Sequence, residues 1–155
     1  MKTALIQILA GFVGTIGFAI ILNIRGRRLI FTAIGGLAAW SLFLLLGCFI
    51  PGEPVRYFIV ALVISLYSEV MAVILKTPTT TFITTALISL VPGGSLYYTM
   101  SHALMGNYTD FFTKGIYTLK LASALALGII VAITIARTVR RLISKKRKPV
   151  CKSES

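Results

Sequence analysis

The sequence predicts an all-α membrane protein: a bundle of about five transmembrane helices, the fourth of them broken at Pro92-Gly93-Gly94. Hydrophobic residues make up 57% of the chain and charged residues only 13%, whereas about a quarter of the residues in a soluble domain are charged. The apolar residues form runs long enough to cross a bilayer, and basic residues cluster where these runs end. Because a chain this apolar has too little polar surface to face water, we expect it to be surrounded by lipid.

Four of the apolar runs are unbroken. A spanning helix needs about 20 apolar residues at 1.5 Å per residue. Runs of this length cover approximately residues 4–24, 29–50, 57–75 and 116–136. The first run also fits a signal peptide, but it is of spanning length and only Lys2 precedes it, so we expect it to be retained.

Residues 79–106 form the remaining apolar segment, the fourth in chain order, which is interrupted at Val91-Pro92-Gly93-Gly94. Proline removes a backbone donor and clashes with the preceding turn, and two glycines add backbone freedom. Each half has about 12 residues and reaches about 18 Å, which is too short to span alone. The segment is therefore either one broken helix that crosses the membrane, with its break near the midplane, or a hairpin that enters and returns.

The distribution of charge favours the broken crossing helix. With five crossings, twelve of the 16 Lys and Arg residues fall on one side of the membrane. The other side keeps Lys2, Arg56, Lys114 and Lys120. This positive-inside bias predicts a multi-pass protein of the cytoplasmic (inner) membrane, with its N terminus outside and its C terminus in the cytoplasm.

Two segments follow from this topology. We expect residues 1–140 to form the transmembrane bundle and residues 141–155 a disordered basic cytoplasmic tail that contacts anionic lipid. Although the formal charge is +12, no basic face alternates with aromatic residues, so we expect no nucleic-acid partner.

Glu69 is the only acidic residue deep within a predicted span. A carboxylate at this depth is costly, so such a residue usually faces the bundle interior or a wet cavity. Ala61, Ser65 and Ala72 follow the same helix face and form a small, polar stripe with it. Two roles remain open: a proton-coupling site, or a structural carboxylate bonded to Ser65 or to a basic residue of a neighbouring helix.

Hydroxyl side chains recur every four residues before the break, at Thr77, Thr81, Thr85 and Ser89. A stripe of this kind replaces water around a polar solute, or it bonds to carbonyl groups of its own or a neighbouring helix. Both interpretations remain open, but the stripe leads directly to the break.

At the break we expect Ser95 to cap the following half-helix, whose free N–H groups and positive dipole end then face the gap. Transporters use such discontinuous helices to hold anionic groups, and a substrate carboxylate suits the site. The alternative is a plain proline kink. The substrate-binding residues that this hypothesis predicts are Thr81, Thr85, Ser89, Pro92, Gly93, Gly94 and Ser95.

Small residues mark two helix faces that are suited to close packing with a partner. One in the last helix comprises Lys120, Ala124, Gly128, Ala132 and Ala136, and one in the first comprises Gly11, Gly14 and Gly17. The cysteines Cys48 and Cys151 have no metal-ligand spacing, and no nucleophile–base pair or phosphate-binding loop appears. The single histidine, His102, fits a structural role better than a proton shuttle. We therefore predict no enzyme, no cofactor and no metal site.

Several stretches resemble the threonine/serine exporter family. They are Gly17–Ile24 before a basic turn, Gly36–Trp40, Ser68-Glu69-Val70 and, most specifically, Ile88–Tyr97, which contains Val-Pro-Gly-Gly-Ser-Leu-Tyr. The resemblance covers approximately residues 10–140 and is to the short, split form, whose two subunits are encoded separately. It implies secondary export of small amino acids, or of succinate in some two-subunit members, together with a partner membrane subunit.

The functional hypothesis is a subunit of a proton-coupled secondary transporter that exports threonine, serine or a related small carboxylate. About five helices are few for a whole transporter, so a second membrane subunit or a homo-oligomer should complete the cavity. The rival from another class is a non-transporting scaffold or assembly subunit, which would use the small-residue faces only for packing. A channel is disfavoured because no ring-forming filter sequence occurs.

Overall fold

The computed structural model describes residues 2–146 of the chain. Within this range every regular element is helical, which confirms the all-α class. The six α-helices are α1 (Lys2–Ile21), α2 (Arg27–Gly47), α3 (Glu53–Ile74), α4 (Thr79–Leu87), α5 (Gly93–Leu104) and α6 (Tyr108–Lys146). A short 3-10 turn, Ile88–Leu90, follows α4.

The lengths of the helices agree with a membrane bundle. By length and composition α2, α3 and α6 are each able to cross a membrane, and α1 is apolar over Ile6–Ile21. Neither α4 nor α5 is long enough alone, because a crossing needs about 20 residues. Large apolar side chains such as Ile20, Val73 and Ile130 are exposed on the outside of the bundle, where lipid is their natural solvent. The protein is therefore an all-α membrane protein, with a helix count close to the predicted one.

Helices α3 and α6 pack side by side and run in the same direction. Three contacts join successive levels of the pair: Tyr117 to Glu53, Gly128 to Ala61, and Arg140 to Glu69. The pair therefore has two distinct ends, the Glu53 end and the Glu69 end. The turn after α3 starts α4 at the Glu69 end.

The fourth segment crosses from the Glu69 end to the Glu53 end. Its second half, α5, packs against the first part of α6, where the Ser95 and Thr99 hydroxyls meet Thr118. Tyr117, which contacts Glu53, directly precedes Thr118 in α6. Helix α5 therefore begins level with the Glu53 end of the pair and then extends past it. This arrangement is the broken crossing helix that charge counting favours, and not the returning hairpin.

The break does not lie midway along the α3–α6 pair, and its depth in the membrane stays a prediction. After α4, the 3-10 turn rises faster per residue than an α-helix, and Val91 has an extended ψ of 131°. Residues 79–92 therefore cover roughly 26 Å, most of the hydrocarbon thickness of about 30 Å, before α5 begins. The break consequently lies close to the Glu53 end of the bundle.

The small-residue face of α6 packs within the chain itself. A methyl group on Gly128 would lie 2.6 Å from the Phe58 carbonyl oxygen and 2.8 Å from the Ala61 Cβ, so α3 and α6 meet at backbone distance. The inference of a missing partner from this face is therefore wrong. The glycine face of α1 differs, because nothing lies within 4 Å of a methyl group added at Gly14 or Gly17.

Helix α2 is held between α1 and the α3–α4 pair. A methyl group on Gly36 would overlap the Thr15 side chain, whereas one on Gly35 would lie 3.2 Å from the Tyr67 ring. The Tyr67 hydroxyl in turn donates to the Phe31 carbonyl oxygen at 3.1 Å. The two adjacent glycines thus allow close contact on both sides of α2.

The predicted boundary between bundle and tail at residue 140 falls inside α6, which continues as helix to Lys146. The remaining tail, residues 147–155, lies outside the described residues. The prediction of a disordered tail that binds anionic lipid therefore stays a prediction.

Candidate functional site

The break opens the start of α5 towards unoccupied space. Gly93 and Gly94 are exposed, and nothing lies within 4 Å of a methyl group added to either. The Gly93 N–H donates to the Val91 carbonyl oxygen at 2.6 Å, and the Leu96 N–H donates to the Pro92 carbonyl oxygen at 3.1 Å. Within residues 2–146, the N–H groups of Gly94 and Ser95 find no backbone acceptor. These free donors and the positive end of the helix dipole suit an anionic group.

The prediction that Ser95 caps α5 is wrong. The N-cap position belongs to Pro92, which has no side-chain cap bond, and the helix begins at Gly93. Ser95 therefore lies within the first turn, where its hydroxyl can no longer reach the helix N–H groups as a cap does. It bonds instead to the Thr118 hydroxyl of α6 at 2.8 Å.

Two hydroxyl residues that the sequence reasoning missed join Ser95. Thr99, one turn along α5, lies 3.3 Å from the Thr118 hydroxyl, and Thr118 is buried with 6% of its surface exposed. The Thr99 and Thr118 hydroxyls also donate to backbone carbonyls of their own helices at 2.8 Å. The four-residue spacing of Ser95 and Thr99 was visible in the sequence, but their pairing with a residue of α6 was not.

The hydroxyl stripe of α4 is partly satisfied by the helix itself. Thr85 is fully buried, and its hydroxyl donates to the Thr81 carbonyl oxygen at 2.7 Å. The Thr77 hydroxyl donates to the Leu75 carbonyl oxygen at 3.0 Å. The side chain of Ser89 lies outside the described residues. Of the two interpretations of the stripe, bonding to its own helix is the arrangement seen at Thr85.

Glu69 bonds to a basic residue of a neighbouring helix, one of the partners left open for it. The Arg140 Nη2 lies 2.6 Å from the Glu69 Oε2 and 3.0 Å from the Glu69 carbonyl oxygen. Glu69 retains 7% of its surface exposed, whereas the side chain of Arg140 is 49% exposed. The guanidinium compensates the buried carboxylate, which would otherwise be costly at this depth.

Two serines on the buried face of α3 have no hydrogen-bond partner within the described part of the chain. Ser65 and Ser68 are fully buried, and neither hydroxyl bonds to Glu69 or to a carbonyl. Serine in a membrane helix normally bonds back to its own helix, so these hydroxyls retain unused capacity next to the buried ion pair. The proton-coupling role of Glu69 stays a prediction. The hydroxyl groups of Ser65 and Ser68 lie within one turn of Glu69 on the same helix.

A cavity of about 390 Å³ lies beside the 3-10 turn that precedes the break. It separates the glycine face of α1 from Trp40 of α2 and Ile88 of the 3-10 turn, with Gln7 as its polar side chain. Its volume is at the lower end of the range of about 300–1,000 Å³ that small-molecule sites occupy. The cavity and the open start of α5 therefore flank the same interrupted segment, from Ile88 to Gly94.

Within residues 2–146 no group of three or more His, Cys, Asp or Glu side chains is placed to hold a metal ion. The chemistry of the region is thus that of hydroxyl groups, free helix N–H groups and one buried ion pair. Such groups bind and release a polar solute or a proton.

The family model described as Threonine/Serine exporter, ThrE, matches residues 7–135. This range contains most of α1, all of α2 to α5 and most of α6, including the break and Glu69. No curated relative and no solved structure is significantly similar to the chain. The matched family is one of transporters and not of enzymes. With most of its length matched and an all-α membrane fold, the chain belongs to the threonine/serine exporter family.

Proposed function

We propose that the protein is one subunit of a secondary transporter that exports a small amino acid, threonine or serine, across the cytoplasmic membrane. The family match over residues 7–135 carries this proposal, because the matched range includes the interrupted helix. Discontinuous membrane helices expose N–H groups that bind anionic substrate groups. The proposed topology puts the N terminus outside and the Glu69 end of the α3–α6 pair in the cytoplasm.

The proposed site for the solute is the region between the open start of α5 and the adjoining cavity. The substrate carboxylate would accept from the free N–H groups of Gly94 and Ser95, and its side chain would enter the cavity next to Gly14. The remaining members of the proposed path are Thr81, Thr85, Ser89, Pro92 and Gly93. In the described conformation Thr85 is bonded to its own helix, so it would contribute only after α4 moves.

Glu69 is the proposed proton carrier. Protonation of its carboxyl group would remove the charge that holds Arg140 and so free α6 at this end of the bundle. Deprotonation would restore the ion pair. Binding and release of a proton at Glu69 would thus be coupled to release and recapture of α6 at this end of the bundle.

A second membrane subunit of the same family, or a second copy of the chain, would complete the transport path. Within the described residues α5 packs mainly against α6 and buries none of its residues fully. Tyr97 and Leu104 on α5 remain exposed, at 70% and 87%, and the glycines of α1 are open. An interrupted helix left so uncovered is consistent with half of an exporter.

Efflux measurements test the proposal. Cells preloaded with labelled threonine, serine or succinate are compared with and without this gene, alone and together with a candidate second subunit. We expect loss of threonine or serine efflux on deletion and recovery on complementation. A selective loss of succinate efflux would assign the substrate to the dicarboxylates, and unchanged efflux of all three would reject export of these solutes.

A scaffold or assembly subunit is the second candidate, favoured by the bonding of Thr85 to its own helix and by the pairing of Glu69 with Arg140. Gly94→Leu separates the two, because the added side chain meets open space in the chain but obstructs the start of α5. Ala126→Leu, at an exposed position of α6 away from the break, is the control for added bulk. A transporter should lose flux only with Gly94→Leu, whereas a scaffold should keep its complex with both variants.

A further inference from the structure

An apolar groove runs along the outer side of the α3–α6 pair at its Glu69 end. It has a volume of about 550 Å³, and its walls include Val70 and Val73 of α3 and Ile135 and Val139 of α6. These four side chains remain between 45% and 57% exposed. A groove of this composition between two membrane helices is suited to a flexible hydrocarbon chain.

The groove is not purely apolar, because Arg140 lines it as well. Only Nη2 of this guanidinium is used, for the two oxygen atoms of Glu69, and the side chain is 49% exposed. Within residues 2–146, its Nη1 and Nε donors have no protein acceptor. An arginine presents five N–H donors in a planar fork that matches phosphate geometry.

The charge around the groove further selects the ligand. Arg137 and Arg141 lie on the same turns of α6, so this end of the bundle carries an excess of positive charge that attracts anionic headgroups. A free phosphate would satisfy the guanidinium but would leave the apolar walls uncovered. An uncharged lipid would cover the walls but would not use the free donors.

We propose that this groove is a binding site for one anionic phospholipid, with an acyl chain along the apolar walls and the headgroup phosphate on the free side of Arg140. The bound phosphate and Glu69 then share one guanidinium. Removal of the Glu69 charge strengthens phosphate binding, and binding of the lipid holds Arg140 at the groove. The site is separate from the break and does not depend on the proposed transport activity.

Native mass spectrometry of the protein released from nanodiscs with equal amounts of phosphatidylglycerol and phosphatidylcholine tests the site. The wild-type protein should retain one phosphatidylglycerol in preference to phosphatidylcholine. The double variant Glu69→Gln/Arg140→Gln removes the guanidinium without leaving a buried unpaired charge, and it should lower this preference about tenfold. Glu69→Gln alone should raise retention, because it removes the negative charge that competes with the phosphate for Arg140.

Two pairs of matched variants separate the groove from general surface charge and lipid contact. Ala136→Leu fills the groove and should reduce retention, whereas Ala126→Leu makes the same change at an exposed position of α6 that does not line it. Arg141→Gln removes one charge from the same turn outside the groove and should leave the preference unchanged within about twofold.

Equal effects of Ala136→Leu and Ala126→Leu, or of the double variant and Arg141→Gln, would overturn the proposal. So would equal retention of the two lipids by the wild-type protein. A dimer in the same spectra that Ala136→Leu dissociates would instead show that a second copy of the chain occupies the groove.

Discussion

The ion pair between Glu69 and Arg140 makes an asymmetric prediction about stability. Glu69 is buried with 7% of its surface exposed, whereas the Arg140 side chain is half exposed. Replacement of Arg140 by Gln leaves an uncompensated carboxylate in the bundle, but replacement of Glu69 by Gln leaves a guanidinium that water and headgroups still reach. The arginine substitution should therefore cost more stability than the glutamate substitution.

The magnitude follows from the burial of the two partners. Removal of one partner of a buried ion pair costs about 3–5 kcal/mol, and the exposure of Arg140 brings the expected loss for Arg140→Gln to the lower end, about 3 kcal/mol. In Glu69→Gln the amide oxygen still accepts from Nη2, so the loss should be about 1 kcal/mol. The double variant should resemble Glu69→Gln, because neither charge remains.

Reversible unfolding of the purified protein in mixed micelles, by titration with a denaturing detergent, measures all three variants in one double-mutant cycle. A coupling energy of about 3 kcal/mol between positions 69 and 140 is expected, because the double variant should lose about 3 kcal/mol less than the sum of the two single variants. Equal losses for the two single variants, or additive losses in the double variant, would refute the conclusion that the buried carboxylate depends on Arg140.

Three further variants test other parts of the structure. Gly128→Ala should destabilise the bundle by about 2 kcal/mol in the same assay, because its methyl group meets backbone atoms of α3. The control Gly17→Ala, whose methyl group meets open space, should not destabilise it. Equal effects of the two variants would contradict the close α3–α6 contact. Thr118→Val should cost about 1 kcal/mol by removing the shared partner of two hydroxyls on α5, with Thr134→Val, which loses only a bond to its own helix, as the control. Gly14→Leu should fill the cavity beside the 3-10 turn and reduce threonine efflux without loss of stability, and normal efflux would exclude the solute from that cavity.

The sequence predicts the helical elements well, because spanning length and helix breakers are local properties. The runs at 29–50 and 57–75 correspond to α2 and α3, and the break falls where Pro92 and two glycines occur. The extent of α6 is less predictable: the apolar run covers 116–136, whereas the helix extends into polar residues at both ends. Hydropathy detects the part of a helix that lies in lipid and not the whole helix.

The contacts of the candidate site are less predictable, because they depend on the relative register and rotation of helices. Glu69 and Arg140 are 71 residues apart, and the spacing on α3 alone pointed equally to Ser65. Likewise, Ser95 loses its expected capping role because α5 begins at Gly93, three residues earlier than a cap at Ser95 requires. A sequence pattern locates a helix start only to within about two to four residues, and a shift of this size reverses the role of a side chain.

Two of the polar contacts that α6 makes lie at opposite ends of the α3–α6 pair, and this placement constrains how the pair can move. At one end the Thr118 hydroxyl joins α6 to α5, and at the other Arg140 joins α6 to Glu69. Between them Gly128 brings α6 to backbone distance of α3, so little sliding is possible without steric conflict. Separation of α5 from α6 leaves the α3–α6 contact intact, whereas separation of α3 from α6 breaks both the ion pair and the Gly128 contact. While Glu69 is ionised and paired with Arg140, movement of α4 and α5 relative to the α3–α6 pair is therefore the less costly route, and it is the movement that would open the break, the cavity and the Thr85 hydroxyl together.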